Sequence, residues 1–364
     1  MAIRKLRSPM QYIQGEDALA NISEYLNVYG GKAFFIVSNG GSLRYTGKLK
    51  DLCEDTIGEA HIEICSGKVT ETEIQRLCGI VKDKKCSVVC GMGAGSIIDI
   101  AKAVAYYSEL PIIIIPTAAS SDAPCSALSI IYKENDEFEK ILYLNESPNL
   151  VLSDTSIIIE ADPVLLAAGM GDAYATYFEA RAVRRSGKNN PAHGKPTEAA
   201  FAIAQKCREV LLRDGTEALL SARAKTLTTA FENIVEANIY LSGVGFESGG
   251  LGAAHAIQKG MTYFPPLDKY YHGQKVAFCL LVQLVLENAP VDELEETIGF
   301  YTEIGLPFTF EDFNVPDITD EVIEKIAENS VRPGMSSHNM PFEVSAQSIF
   351  AAIKGADAIG RKYR

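Results

Sequence analysis

Three side chains in this sequence, Asp172, His255 and His272, could together hold a divalent metal ion. Neutral imidazole nitrogens and a carboxylate oxygen are ligands that zinc accepts, and three protein donors leave one coordination position open for a reacting molecule. Both histidines lie within 247–275 (ESGGLGAAHAIQKGMTYFPPLDKYYHGQK), and the chain has only five histidines in 364 residues. Their spacing matches no short zinc pattern such as H-E-x-x-H, so spacing alone favours ordinary buried or surface histidines, and it is their scarcity that points to a metal. The pattern predicts a small-residue helix over 251–259, opened by Gly249 and Gly250 and carrying His255. A further apolar helix starts at His272 after the turn Phe264-Pro265-Pro266.

A second stretch with chemical potential is Cys90-Gly91-Met92-Gly93-Ala94-Gly95-Ser96, which follows a strand-like run and precedes the helical IIDIAKAVAYYSE. Glycines there let the backbone approach a pyrophosphate, and the free N–H groups of a helix N-terminus stabilise its charge. Ser96 suits the capping position of that helix. The spacing is G-x-G-x-G, neither G-x-G-x-x-G nor a loop ending in G-K-[ST], and a plain structural turn would use one or two of these glycines. The next strand opens into Thr117-Ala118-Ala119-Ser120-Ser121-Asp122-Ala123-Pro124-Cys125-Ser126 at the same sheet edge, with Asp122 its one charge. Ser, Asp and Pro also make ordinary turns.

The elements that must position these groups divide the chain in two. Short β-branched runs, KAFFIV (32–37), HIEI (61–64), SVVC (87–90), PIIII (111–115) and LVL (150–152), alternate with amphipathic segments such as 70–85. Continuous apolar strands between helices imply a parallel sheet covered on both faces, with ligands bound beyond the carboxyl ends of its strands. After about residue 162 long 3.6-period segments take over, punctuated at Gly215, Gly243 and Gly305. We therefore expect an α/β dinucleotide-binding domain over 1–162 and an all-α domain, binding metal and substrate, over 163–364. The most loop-like part of the second half is 185–195, and no repeat or low-complexity segment occurs.

A net charge of −13 argues against nucleic acid and anionic membrane surfaces, which need clustered Lys and Arg, and leaves small molecules as partners. No apolar run approaches a membrane span, and the N-terminus lacks the apolar core of a signal peptide, so a cytoplasmic location is expected. The eight cysteines include no C-x-x-C pair and read as reduced thiols; packing explains Cys86 and Cys90.

SPMQYIQG, SSDAPCSALSIIY, AAGMGDAYATYFEARA, EANIYLSGVGFESGGLGAAHAIQKG, YYHGQKVAF and LVLENAP, in this order, resemble the glycerol dehydrogenases of the iron-containing alcohol dehydrogenase superfamily. The resemblance runs from about Ser8 to near the C-terminus. It implies the dehydroquinate synthase-like, iron-type alcohol dehydrogenase architecture: an N-terminal α/β nucleotide-binding domain and a helical domain with the active site between them. It also implies nicotinamide-dependent oxidation of glycerol or a related vicinal diol at the secondary hydroxyl, and a homo-oligomer. Carried over by position, Asp172, His255 and His272 would bind zinc and Asp122 would contact the diol. Thr117, Ser120, Ser126, Leu128 and Tyr132 would join Gly93, Gly95, Ser96 and Asp99 around the cofactor. Zinc would act as a Lewis acid toward the substrate oxygens, and no side chain stands out as general base beyond zinc-bound hydroxide or a water chain.

Three departures bear on this. Iron-type members carry a further His one helical turn after the metal-binding Asp; here Thr176 stands there, which suits zinc with an open position. Where NAD-dependent relatives end the first strand with an acidic residue that holds the adenosine ribose and repels a 2′-phosphate, this chain has Ser38, so NADP is no longer strongly excluded. Ser96 replaces the usual Lys beside the pyrophosphate. Dehydroquinate synthase-like and glycerol-1-phosphate dehydrogenase-like readings need a cation facing the metal, and the blocks around Asp172 and Asp122 supply none. A non-catalytic nucleotide sensor would lack a metal ligand. His338 reads as a hydrogen bond tying the tail to the cleft wall, and His61 and His193 as strand or surface residues.

Overall fold

Apolar runs without polar alternation need cover on both faces, and here they pair in parallel. The computed structural model describes every residue except Met1, Asp55, Ile57 and Asp136. Its strands are β1 (Gln11–Gly15), β2 (Ala33–Val37), β3 (Ala60–Ile64), β4 (Val88–Gly93), β5 (Ile112–Pro116), β6 (Leu128–Tyr132), β7 (Phe138–Tyr143) and β8 (Leu150–Asp154). Six form one parallel sheet in the order β1-β8-β5-β4-β2-β3, while β6 and β7 form an antiparallel hairpin. Strands β2, β4, β5 and β8 are buried along their whole lengths. The sequence pattern passes over β1, β6 and β7, whose half-exposed edge and hairpin positions mix polar with apolar residues.

Helices α1 (Ile22–Val28), α2 (Asn39–Leu52), α3 (Glu71–Lys84), α4 (Ser96–Ser108) and α5 (Thr155–Ile158) accompany the sheet. The second half is helical: α6 (Pro163–Ser186), α7 (Glu198–Ala224), α8 (Thr229–Glu236), α9 (Ser242–Gly249), α10 (Ala253–Met261), α11 (His272–Leu286), α12 (Val291–Ile304), α13 (Asp320–Ser330) and α14 (Ala346–Tyr363). A π-helical turn, Ala237–Leu241, joins α8 to α9. No helix among the described residues is long and apolar enough to cross a membrane.

Two of the three expected glycine breaks are not breaks. Gly215 lies inside α7, where an added Cβ would come 2.9 Å from the Phe300 ring, and Gly243 lies inside α9, where it would come 2.7 Å from Cys125 Cβ. Both glycines serve close packing of helices. Gly305 does end its helix, with φ +73 after α12.

Helix α6 organises the second half. The Asp162 carboxylate accepts the Val164 N–H at 3.0 Å and Pro163 fills the first helical position, fixing where the helix starts. Small residues let neighbours pack against its backbone: a Cβ on Gly171 would lie 2.6 Å from the Gly273 carbonyl, and one on Gly273 would lie 1.8 Å from the Ala168 carbonyl. That approach sets the start of α11 beside the middle of α6.

Candidate metal and cofactor site

Asp172 sits mid-way along α6, His255 in the first turn of α10 and His272 at the first residue of α11. The predicted start of the His255 helix shifts by two residues, because Gly249 ends α9 and Gly250, at φ +116, makes the turn. One donor atom from each of the three residues lies within 4.8 Å of the others. His255 Nε2 and His272 Nε2 each stand 3.3 Å from Asp172 Oδ1. Asp172 is fully buried, and neither of its carboxylate oxygens has a hydrogen-bond donor among the described residues. Orphaned carboxylate oxygens facing two imidazoles are the signature of a cation site, so the donor set fits a divalent metal.

Glu179, absent from the sequence reading, completes the cluster. It lies two turns beyond Asp172 on the same face of α6, wholly buried. Its Oε2 is 2.6 Å from His255 Nδ1, and its Oε1 accepts the N–H groups of Gly252 (2.8 Å) and His255 (3.1 Å). One carboxylate thus caps α10 and holds the His255 ring with Nε2 directed at Asp172. Its signal in the sequence was an acid seven residues after Asp172, on a face otherwise made of small or apolar residues and Thr176.

Burial opposes ionisation of Asp172, but the His272 and His255 imidazoles outweigh it and hold its carboxyl below the ordinary range. Burial likewise disfavours the His255 imidazolium, and the carboxylates of Glu179 and Asp172 overcome this and raise its pKa. A metal at Nε2 replaces that proton. Asp122 is buried in the loop after β5. Burial, and then the Asp172 charge, push its carboxyl well above the usual range. Its Oδ2 accepts the Ser242 hydroxyl at 3.2 Å, and Ser242 Oγ is 2.9 Å from Thr176 Oγ1. The side chain at the position of the iron-type His is therefore a hydroxyl engaged with its neighbour. The π-turn before Ser242 carries Asn238, whose Nδ2 donates to the Ala119 carbonyl at 2.9 Å. It thereby ties the Asp122 loop to the helical half.

Of the remaining predicted residues, Ser38, Gly93, Gly95, Ser96, Thr117 and Ser120 lie at or just beyond the carboxyl ends of β2, β4 and β5, whereas Asp99 lies in α4, Ser126 just before β6, and Leu128 and Tyr132 at its two ends. The order of the sheet reverses between β2 and β4, the position at which doubly wound sheets leave a crevice. Gly93 ends β4, and a Cβ there would meet Ile97 at 2.6 Å, so this glycine, like Gly91 against Ala101, makes room for α4. Gly95 alone of the three is open, with φ +41 and nothing within 4 Å. It occupies the cap position expected of Ser96, and Ser96 is the first residue of α4, because only glycine accommodates that turn. Ser38 caps α2, its Oγ accepting the Gly41 N–H at 3.0 Å. The Thr117 N–H donates to the Gly93 carbonyl at 2.9 Å, and Ser120 follows in the same loop, partly exposed. Asp99 Oδ2 accepts the Ile130 N–H at 3.3 Å, and burial pushes the Asp99 carboxyl up to about 6 against the pull of Lys102. Ser126 is fully buried with its hydroxyl between Lys102 Nζ (3.0 Å) and the Ala123 carbonyl (3.2 Å). The Leu128 carbonyl also accepts from Lys102, at 3.1 Å, and Tyr132 closes β6 at the surface.

The other histidines stay apart from the cluster. His61 stacks on Phe34, and His193 packs against Tyr143. His338 Nε2 meets the Val331 carbonyl within its own segment; Ser336 and Asn339 make the expected tie, reaching the carbonyls of Gly252 and Leu251 just before α10.

Comparison with known proteins fits this geometry. The family model for iron-containing alcohol dehydrogenases matches residues 9–155. The glycerol dehydrogenase of Escherichia coli O6:H1 is 42% identical over 364 residues, 99% of this chain and 98% of that protein. The chain belongs to the glycerol dehydrogenase family of iron-containing alcohol dehydrogenases. Solved structures agree: glycerol dehydrogenase from Schizosaccharomyces pombe superposes with a TM-score of 0.96 at 35% identity, covering 100% of this chain and 92% of that one. A probable glycerol dehydrogenase from Sinorhizobium meliloti gives 0.92 at 35% identity, over 99% and 100%. As a family member the chain is an oxidoreductase, and Asp172, His255 and His272 form its metal-binding triad.

Proposed function

We propose that this protein oxidises glycerol, or a related vicinal diol, at the secondary hydroxyl to the hydroxyketone, using zinc and NAD or NADP. The observation that carries the reading is the convergence of Asp172, His255 and His272 around two orphaned carboxylate oxygens. A bound divalent ion supplies Lewis-acid polarisation of substrate oxygens, and nicotinamide supplies the hydride acceptor. The chain's own groups do the rest. Glu179 fixes His255 with Nε2 facing inward, Asp172 supplies the anionic donor, and Asp122, oriented by Ser242, meets the diol.

Two His and one Asp leave zinc an open position, and the Thr176 hydroxyl is turned to Ser242, which supports zinc over a nitrogen-richer iron site. Gly95, Ser96 and Thr117 would hold the cofactor together with Ser120 and Tyr132, and Ser38 would face its adenosine ribose. Ser38 carries no charge, so a 2′-phosphate is not repelled. We take the sheet domain as 1–162 and the helical domain as 163–364. A cytoplasmic homo-oligomer accords with eight unpaired cysteines and with the family.

Elemental analysis paired with initial rates on glycerol, using NAD and then NADP, before and after chelation, tests the reading. About one zinc per chain with chelator-sensitive diol oxidation is the expected result. A metal-free protein inactive with both cofactors would overturn it.

A further inference from the structure

Lys259 lies one turn beyond His255 on α10, so the two side chains share a face of the helix. Its Nζ stands 5.5 Å from the centroid of the Phe138 ring on β7. No carboxylate or carbonyl among the described residues holds it, and burial lowers its pKa with no charge to oppose the shift. Lys259 is half-buried, and the buried lysines among the described residues have oxygen acceptors: Lys102 bonds to Ser126, Leu128 and Ala123, and Lys275 to the Leu267 carbonyl. Lys259 faces an aromatic ring, a weak counter-charge for a partly desolvated ammonium.

The location gives the cation a role. Phe138 pairs directly with Tyr132 across the β6–β7 hairpin, so both side chains lie on one face of it. In the proposed function Tyr132 is one of the residues around the cofactor, and α10 carries a metal ligand. Lys259 therefore lies between the helix of a metal ligand and the hairpin that carries Tyr132. The carboxylates of the metal cluster and its loop are engaged elsewhere: Glu179 with His255, Asp172 with the two imidazoles, and Asp122 with the Ser242 hydroxyl.

Building on the proposed function, we propose that Lys259 is an anion subsite of the substrate cleft, receiving the carboxylate or phosphate of a small hydroxylated substrate whose hydroxyl meets the metal. The chain is thereby fitted to anionic polyols and hydroxy acids as well as to neutral glycerol. The cation missing from the blocks around Asp172 and Asp122 comes from the helix of His255. The reaction is unchanged: the carbinol carbon gives hydride to the nicotinamide, its hydroxyl gives a proton to solvent, and a ketone remains.

The test uses the full zinc-loaded protein as wild type, Lys259→Gln and Lys259→Arg, with glycerol, glycerate and glycerol phosphate. Each anion is scored by kcat/KM, or by competitive inhibition of glycerol oxidation where it does not turn over. Relative to glycerol, anion recognition should fall about tenfold or more in Lys259→Gln, the loss of a charge-assisted hydrogen bond, and be retained in Lys259→Arg. A fall confined to glycerate assigns a carboxylate site, and one confined to glycerol phosphate a phosphate site. An unchanged ratio in Lys259→Gln, or anions that neither react nor compete in the wild type, would overturn the proposal. If the wild type fails to oxidise glycerol, the proposed function fails. Calorimetric titration of wild type and Lys259→Gln with glycerate and glycerol phosphate then still decides the subsite: equal binding, or none, rejects it.

Discussion

The Glu179 carboxylate stands 2.6 Å from His255 Nδ1 and at the same time accepts two backbone N–H groups at the start of α10. Ring orientation and helix start are thus one interaction. Glu179→Gln keeps the shape but removes the charge that stabilises the ring, and metal affinity should fall roughly 10–100-fold, the usual weight of such a partner. Competition with a zinc-binding dye measures it directly. Unchanged affinity would mean that packing alone orients His255.

Gly273 follows the ligand His272, and a Cβ there would lie 1.8 Å from the Ala168 carbonyl. Gly273→Ala must push α11 off α6, costing about 1–3 kcal/mol or more and moving His272 away from Asp172. Gly299, inside α12 with nothing within 4 Å, is the control: Gly299→Ala should stabilise by up to about 1 kcal/mol. Urea unfolding with metal analysis of the refolded proteins separates the two. Equal responses would contradict the close contact.

Asp99 supplies a pH dependence whose sign is fixed. Burial raises its carboxyl to about 6 in the folded chain, from 3.8. Between these values the native state binds more protons than the unfolded state, so this group's contribution to stability falls as pH rises from about 4 to 6. The loss is on the order of 2–3 kcal/mol, complete above pH 6. Subtracting Asp99→Asn unfolding energies from those of the wild type across this window isolates the slope. A flat difference would show that Asp99 ionises as freely when folded as when unfolded.

Ser38 caps α2 where a carboxylate would hold the adenosine ribose. Ser38→Asp keeps a capping oxygen and adds charge, so NADP should weaken about tenfold or more against NAD. Dissociation constants from nicotinamide fluorescence report it. Unchanged NAD affinity would remove Ser38 from the adenosine pocket.

Much of this was legible in the chain, for physical reasons particular to each part. Buried parallel strands such as PIIII leave an unbroken apolar run, whereas β1 at the sheet edge and the β6–β7 hairpin mix their polarity and vanish into the background. His255 and His272 stood out by scarcity, but Glu179 looked like any helical acid until its face was known. Glycines misled most. Gly215 and Gly243 read as breaks because sequence shows a missing side chain without showing what fills the space, here Phe300 and Cys125. Lys259 was passed over because whether a lysine has a counter-charge depends on partners from distant segments.

All three metal-binding side chains hang from α6, α10 and α11, while the glycine turn at Gly95 belongs to the sheet. The metal cluster and the glycine turn thus belong to separate stretches of the chain. Under the proposed function, a change of carrier made at a strand end such as Ser38 would leave the ion's cage untouched.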